Sequence, residues 1–139
     1  MSETENIKIV QDAYAAFGKG DIAALLESLS ENVEWHVPGE GVIPEGGTYH
    51  GRDGVARFFQ SLVKNTEFLA FEPREFVAQG DRVIALGWYR GKATATGRIF
   101  ESHWAMSFLL QDGKVRAFQE FTDTSTIGQA FAGSASATA

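Results

Sequence analysis

The sequence contains no cysteine. That excludes a disulfide framework, a thiolate zinc site and a cysteine nucleophile together. It also lacks any cluster of Lys and Arg, and its formal net charge is -6. A nucleic acid or an anionic membrane surface is therefore not the expected partner. No apolar run is long enough to span a bilayer. The N-terminus, Met-Ser-Glu-Thr-Glu, lacks the basic start and apolar stretch of a signal peptide, so the cytoplasm is the expected compartment. The segment Gly39-Glu40-Gly41 is not followed by the strand, helix and lysine of a phosphate loop, and no G-x-S-x-G elbow occurs. The three histidines, His36, His50 and His103, fall on separate elements with no ligand spacing. Neither a metal nor a cofactor is expected. What the chain does have is aromatic surface, with eleven Phe, three Trp and three Tyr in 139 residues. Such residues bury large areas and make walls for apolar ligands.

The length suits one domain that buries a core without staples. Ile7, Val10, Tyr14 and Phe17 recur at helical spacing, which predicts a first helix from Glu3 to Phe17, closed by Gly18-Lys19-Gly20. Asp21 is the expected N-cap of a second helix, Ile22–Leu29. Asn32–Val37 reads as a short strand, and residues 38–47 as a long Gly- and Pro-rich loop. A third helix begins near Arg52-Asp53-Gly54 and carries Val55, Phe58, Phe59 and Leu62 inward. The period then changes from helical to alternating. Strands are expected at Phe68–Gln79, Arg82–Arg90, Gly97–Leu110 and Val115–Asp123, with hairpin turns at Gly80-Asp81 and Asp112-Gly113. Segregated helices and strands make the fold class α+β. The domain should run to about residue 127. The remainder, 128–139, ends in a run of Ala, Gly, Ser and Thr from Ala132 and is expected to be disordered.

Four segments, in this order and spacing, resemble the ketosteroid-isomerase-like superfamily. They are Ala15-Ala16-Phe17-Gly18-Lys19-Gly20-Asp21, Ser30-Glu31-Asn32-Val33-Glu34-Trp35-His36, Tyr49-His50-Gly51-Arg52-Asp53-Gly54-Val55, and Asp112-Gly113-Lys114-Val115 with Phe121-Thr122-Asp123-Thr124. The superfamily has the nuclear-transport-factor-2-like fold and includes SnoaL-like polyketide cyclases, scytalone dehydratase and limonene epoxide hydrolase. The resemblance implies a cone of curved antiparallel or mixed sheet, covered by three N-terminal helices, with an internal pocket. It also implies a homodimer formed through the sheet.

Aligned on the steroid isomerases, His36 falls at the position of their general base. A histidine suits that role, since its ordinary pKa of about 6.5 lies near working pH. Strand alternation says otherwise: it groups Val33, Trp35 and Val37 on one face and His36 on the other. The isomerases' enolate-stabilising acids fall on Ala13 and Met106. Tyr14 is one residue away, a rotation of about 100° on a helix. Arg116, Phe118, Glu120 and Thr122 share a face at strand period two, a face that lines the pocket in the family. Glu120 there is a carboxylate beside aromatic walls, its pKa raised by desolvation. Asp123 lies on the opposite phase. The expected proton-transfer group is thus His36 with Glu120, assisted by Tyr14. The expected ligand walls are Phe17, Phe58, Trp88, Trp104, Met106 and Phe118. Two functions remain open. One is a cofactor-independent isomerase or cyclase acting on a small apolar carbonyl compound. The other is a non-catalytic ligand-binding or dimerisation module.

Overall fold

The computed structural model describes residues 1–137. Helix α1 (Glu3–Gly18) starts on a capping box: Ser2 Oγ accepts from the Glu5 amide, and the Glu5 carboxylate accepts from the Ser2 amide. Helix α2 (Ile22–Glu27) starts on Asp21, whose carboxylate accepts from the Ala24 amide. Then follow β1 (Leu29–Val37), β2 (Gly47–His50), α3 (Gly51–Asn65), β3 (Thr66–Gln79), β4 (Arg82–Ala93), β5 (Ile99–Gln111), β6 (Lys114–Thr122) and α4 (Thr124–Ala137).

All six strands form one sheet in the order β2-β1-β6-β5-β4-β3. The β3–β6 meander is antiparallel, as its hairpin connections require, while β1 runs parallel to β6. The sheet is therefore mixed. The Asp112-Gly113 turn has φ of 52° and 79° at its two residues, the left-handed pair of a type I′ hairpin. Register shifts in β3, between Phe68 and Ala70 and between Pro73 and Glu75, mark bulges of the kind that bend a strand. The concave face is covered by α1 against β3 and β4, α3 against β1, and α4 against β5.

Alternation sorts the strands cleanly. Val33, Trp35 and Val37 of β1, Val83, Ala85 and Tyr89 of β4, and Trp104, Met106 and Phe108 of β5 are buried inward. Each large apolar side chain so buried contributes about 1.5–3 kcal/mol. The two buried columns meet at β4–β5 through Val83–Phe108, Ala85–Met106 and Gly87–Trp104. Gly87 is required there. A Cβ on it would collide with the Trp104 ring, and it would stand 2.5 Å from the Glu72 carbonyl oxygen.

Three elements depart from the sequence expectation. The loop after β1 ends in a four-residue strand, β2, pairing antiparallel with the outer edge of β1. Its length is below what alternation can reveal. Helix α2 stops at Glu27, and the chain enters β1 at Leu29, earlier than expected. The segment expected to be disordered from residue 128 is helical as far as Ala137, because Ile127 and Ala130 are buried and Phe131 packs on the core. Residues 138–139 of that expectation lie outside the described residues. Among the described residues, no helix is long and apolar enough to cross a membrane.

Candidate functional site

The helices and the concave face enclose a cavity of about 110 Å³. An apolar cavity of about 150 Å³ takes a benzene ring, so the space here is of single-ring size. Its walls are overwhelmingly apolar. Phe17, Phe58, Met106 and Phe118, expected from the sequence, all line it, joined by Phe59, Phe68, Phe71, Phe100, Phe108 and Phe131. Trp35 closes one side, stacked on Phe118 with ring centroids 3.8 Å apart. No Lys, Arg or His is among the lining residues.

Against these walls stands one carboxyl with a marked perturbation. Glu120 lines the cavity from β6, opposite Met106 on β5. It is half-buried. Desolvation, with no cation beside it, pushes its pKa up to about 7, and a hydrogen bond with Tyr89 offsets part of that rise. The Tyr89 hydroxyl lies 2.8 Å from Glu120 Oε2 and 2.8 Å from Thr122 Oγ1. Thr122 Oγ1 is 3.0 Å from Ser102 Oγ, which donates to the His103 carbonyl at 2.7 Å. Glu120 Oε1 has no hydrogen bond within the protein among the described residues.

Tyr14 reaches the same cavity from α1. Its hydroxyl donates to Met106 Sδ at 3.0 Å, a weak acceptor that a ligand oxygen readily replaces. Burial, and then the charge of Glu120, raise the pKa of Tyr14 far above the ordinary phenol value. Tyr89 is raised for the same two causes. Both phenols are therefore neutral donors at any physiological pH. Trp104 does not line the cavity but backs it. Its ring stacks on Tyr14 at 28°, with centroids 5.8 Å apart.

Two expected site residues are elsewhere. His36 lies on the outer face of β1, where Nδ1 is 2.9 Å from Thr48 Oγ1 and Nε2 is 3.8 Å from Glu34. It does not line the cavity, so His36 and Glu120 share no space. Strand alternation prevails over the family alignment at this residue. Trp88 is also on the outer face, where the Arg74 guanidinium sits 5.4 Å from its ring centre. Its neighbour Tyr89 takes the inward position. A similar one-residue change affects Arg116. A register shift between Leu109 and Leu110 turns Val115 inward and leaves Arg116 exposed, so Arg116 does not share the face of Phe118 and Glu120.

The residues missed from the sequence are Tyr89 and Glu45. Tyr89 was legible, because Val83, Ala85 and Tyr89 alternate in phase along β4. Glu45 was not. It sits in the loop between β1 and β2, only 2% exposed, with Oε2 accepting from Ser61 Oγ at 3.0 Å and Asn65 Nδ2 at 2.7 Å. It lines the cavity and pins the loop to α3.

The order of elements and the curved mixed sheet are shared with known proteins. The model of the SnoaL-like domain family matches residues 10–118. The chain belongs to the SnoaL-like family. An NTF2-like protein from Burkholderia xenovorans LB400 is 38% identical, with a TM-score of 0.87, over 94% of this chain and 98% of that one. TerC, co-crystallised with polyporic acid, is 27% identical, with a TM-score of 0.80, over 92% of this chain and 98% of that one. A protein of Xanthomonas campestris pv. campestris, provisionally named a polyketide cyclase, is 20% identical, with a TM-score of 0.76, over 93% of this chain and 98% of that one; it shares the fold.

Proposed function

We propose that this SnoaL-like protein is a cofactor-independent proton-transfer enzyme of the isomerase or cyclase type, acting on a small, mostly apolar carbonyl compound. The observation that carries the reading is Glu120, a carboxyl in an aromatic cavity whose proton affinity is raised to about 7 with one oxygen left open. A base of that strength removes a proton beside a carbonyl at neutral pH far better than an ordinary glutamate does. The carbonyl oxygen, gaining negative charge, takes the hydroxyl proton that Tyr14 otherwise gives to Met106. His36 has no part in it. The TerC complex supports the ligand class, since a relative of similar fold was crystallised with an organic acid in hand.

The test is solvent-deuterium incorporation next to the carbonyl of a panel of enolisable aryl ketones and 1,3-diketones. Wild-type protein should accelerate exchange, and Glu120→Gln should lose about 10²–10⁴ of the rate. Equal exchange by both proteins overturns the reading.

The position of His36 favours a second reading, because it removes one of the two acid/base groups that the sequence offered. In that reading the chain binds an apolar ligand without turning it over. A single-ring aryl ketone such as acetophenone is a practical probe, matched to the size of the cavity. Binding that quenches tryptophan fluorescence equally in wild type and Glu120→Gln, with no exchange in either, selects this reading. In both readings the chain pairs with a second copy through the outer face of the sheet, in the cytoplasm. Leu86, Ala105 and Phe121 form a row across β4, β5 and β6 there, with Leu86 and Phe121 exposed.

A further inference from the structure

Beside Glu120, four oxygen contacts run in a line from the cavity wall to the backbone, and their protons can be counted. Ser102 Oγ is 2.7 Å from the His103 carbonyl oxygen, which can only accept, so Ser102 must donate there. Ser102 has one proton, so its 3.0 Å contact with Thr122 is filled by the Thr122 proton. The Asp123 amide donates to the same Ser102 oxygen at 3.1 Å, which completes its acceptor capacity. Thr122 has then used its own proton, so the 2.8 Å contact with Tyr89 is filled by Tyr89. Nothing remains for the 2.8 Å contact between Tyr89 and Glu120 Oε2 unless the carboxyl carries a proton. Three hydroxyls serve four contacts, and the fourth proton is that of Glu120.

We propose that Thr122 and Ser102, anchored on the His103 carbonyl, draw the Tyr89 hydroxyl proton away from Glu120 and so favour the protonated carboxyl, which then donates to Tyr89. Thr122 and Ser102 are then positioning residues that act through Tyr89. In the resting site the proton sits on Oε2, toward Tyr89, and the cavity sees Oε1 as a neutral acceptor. When the proton leaves, Tyr89 turns its hydroxyl to the carboxylate, and one link of the chain is left without a hydrogen. The two titratable groups that bear on Glu120 are Tyr14 from α1 and Tyr89 from β4, both neutral. The other acidic residue of the cavity, Glu45, is held by Ser61 and Asn65 of α3. No basic side chain lines the cavity to compete with this control. The use of the ionised Glu120 as a base, once this proton has left, rests on the reading above; the proton count does not.

The sign of two substitutions separates this account from desolvation alone. Thr122→Val leaves the Tyr89 hydroxyl no acceptor but the carboxylate, so the ionised form is favoured. Ser102→Ala leaves the Thr122 proton only the His103 carbonyl at 3.5 Å, too long to hold it firmly, so it turns to Tyr89 with the same result. Each should lower the proton affinity of Glu120 about tenfold, the worth of one hydrogen bond to a charged group. Tyr89→Phe removes the carboxylate's donor and should raise it. The measurement is the pH titration of the Glu120 side-chain carbon by NMR of protein carrying ¹³C-glutamate, assigned by the loss of that signal in Glu120→Gln. Thr122→Ser keeps the hydroxyl and should retain the wild-type midpoint; it also reports on the chain if the valine variant fails to fold. If Thr122→Val and Ser102→Ala leave the midpoint unchanged or raise it, or if Thr122→Ser shifts it as valine does, the chain does not hold the proton. The readout is protonation and not turnover, so an inactive protein with these shifts would overturn the proposed reaction and leave this inference standing.

Discussion

Glu120 shows how a single side chain acquires a function from its surroundings. A glutamate has an ordinary pKa of 4.5, and here it is held near 7. The unfolded chain releases this proton at lower pH than the folded one does. Between those two values the folded state binds more protons, so stability falls as pH rises through the window. Chemical denaturation of wild type should therefore show a decline from about pH 4.5 to about pH 7 that Glu120→Gln lacks. The amide of that variant can donate to Tyr89 as the protonated acid does, so the fold should survive the change. His36→Ala should do almost nothing, within about 0.5 kcal/mol in stability, because an exposed ring bonded to Thr48 supports neither core nor cavity. A substantial loss of ligand binding in His36→Ala would contradict the assignment. The sequence brought His36 forward through the family alignment and argued against it through alternation. The physical pattern was the better guide, because a one-residue step along a strand reverses the face while an alignment tolerates such steps.

At the scale of elements, the core pattern was readable and the turns between elements were partly so. The helical spacing of Ile7, Val10, Tyr14 and Phe17 and the Asp112-Gly113 hairpin each predicted the local structure found. Three features were not legible, for different reasons. Strand β2 is too short to show a period, and its pairing with β1 is a tertiary fact. Helix α4 has a weak helical signal of its own and is held by burial of Ile127 and Ala130. The bulge in β6 is a third case, since one extra residue exchanges Arg116 for Val115 on the inner face without a sequence mark. Gly87 is where an element and the site meet. Gly87→Ala would push the Trp104 ring off β4 and with it the Tyr14 ring that stacks on it. Overpacking of this kind should cost about 1–3 kcal/mol, measured by denaturant unfolding, and should weaken ligand binding as well. Unchanged stability would mean that the contact is not tight in solution. Glu45→Ala should release the loop between β1 and β2 from α3. The loss expected is about 1–3 kcal/mol, because Ser61 and Asn65 would lose a shared acceptor.

The whole molecule is a cone closed by helices on one side and bare on the other. The bare face carries Val77, Leu86 and Phe121, each exposed. If a second copy covers it, Phe121→Asp should turn a dimer into a monomer in sedimentation equilibrium while the cavity still binds ligand. A wild-type monomer at micromolar concentration would contradict the pairing. The opposite face explains why so much phenylalanine was needed. Rings from α1, α3, α4 and five strands meet there, and they leave room for a ring-sized guest with two acidic residues, Glu45 and Glu120, and two phenols, Tyr14 and Tyr89, among its walls. Fold and family were legible from pattern, but the chemistry of this centre was only half so. Glu120 and Tyr14 were found from their faces. The inward face of Tyr89 was legible along β4, but its hydrogen bond with Glu120 emerges only when β4, β5 and β6 are laid side by side.

The most direct check of that centre is the titration of the Glu120 carboxyl in the wild-type protein, free and saturated with an apolar carbonyl ligand. A midpoint near 7 in the free protein, displaced when ligand enters the cavity, is the expected result. A midpoint at the ordinary 4.5, or one indifferent to ligand, would mean that Glu120 is not the group that meets the substrate.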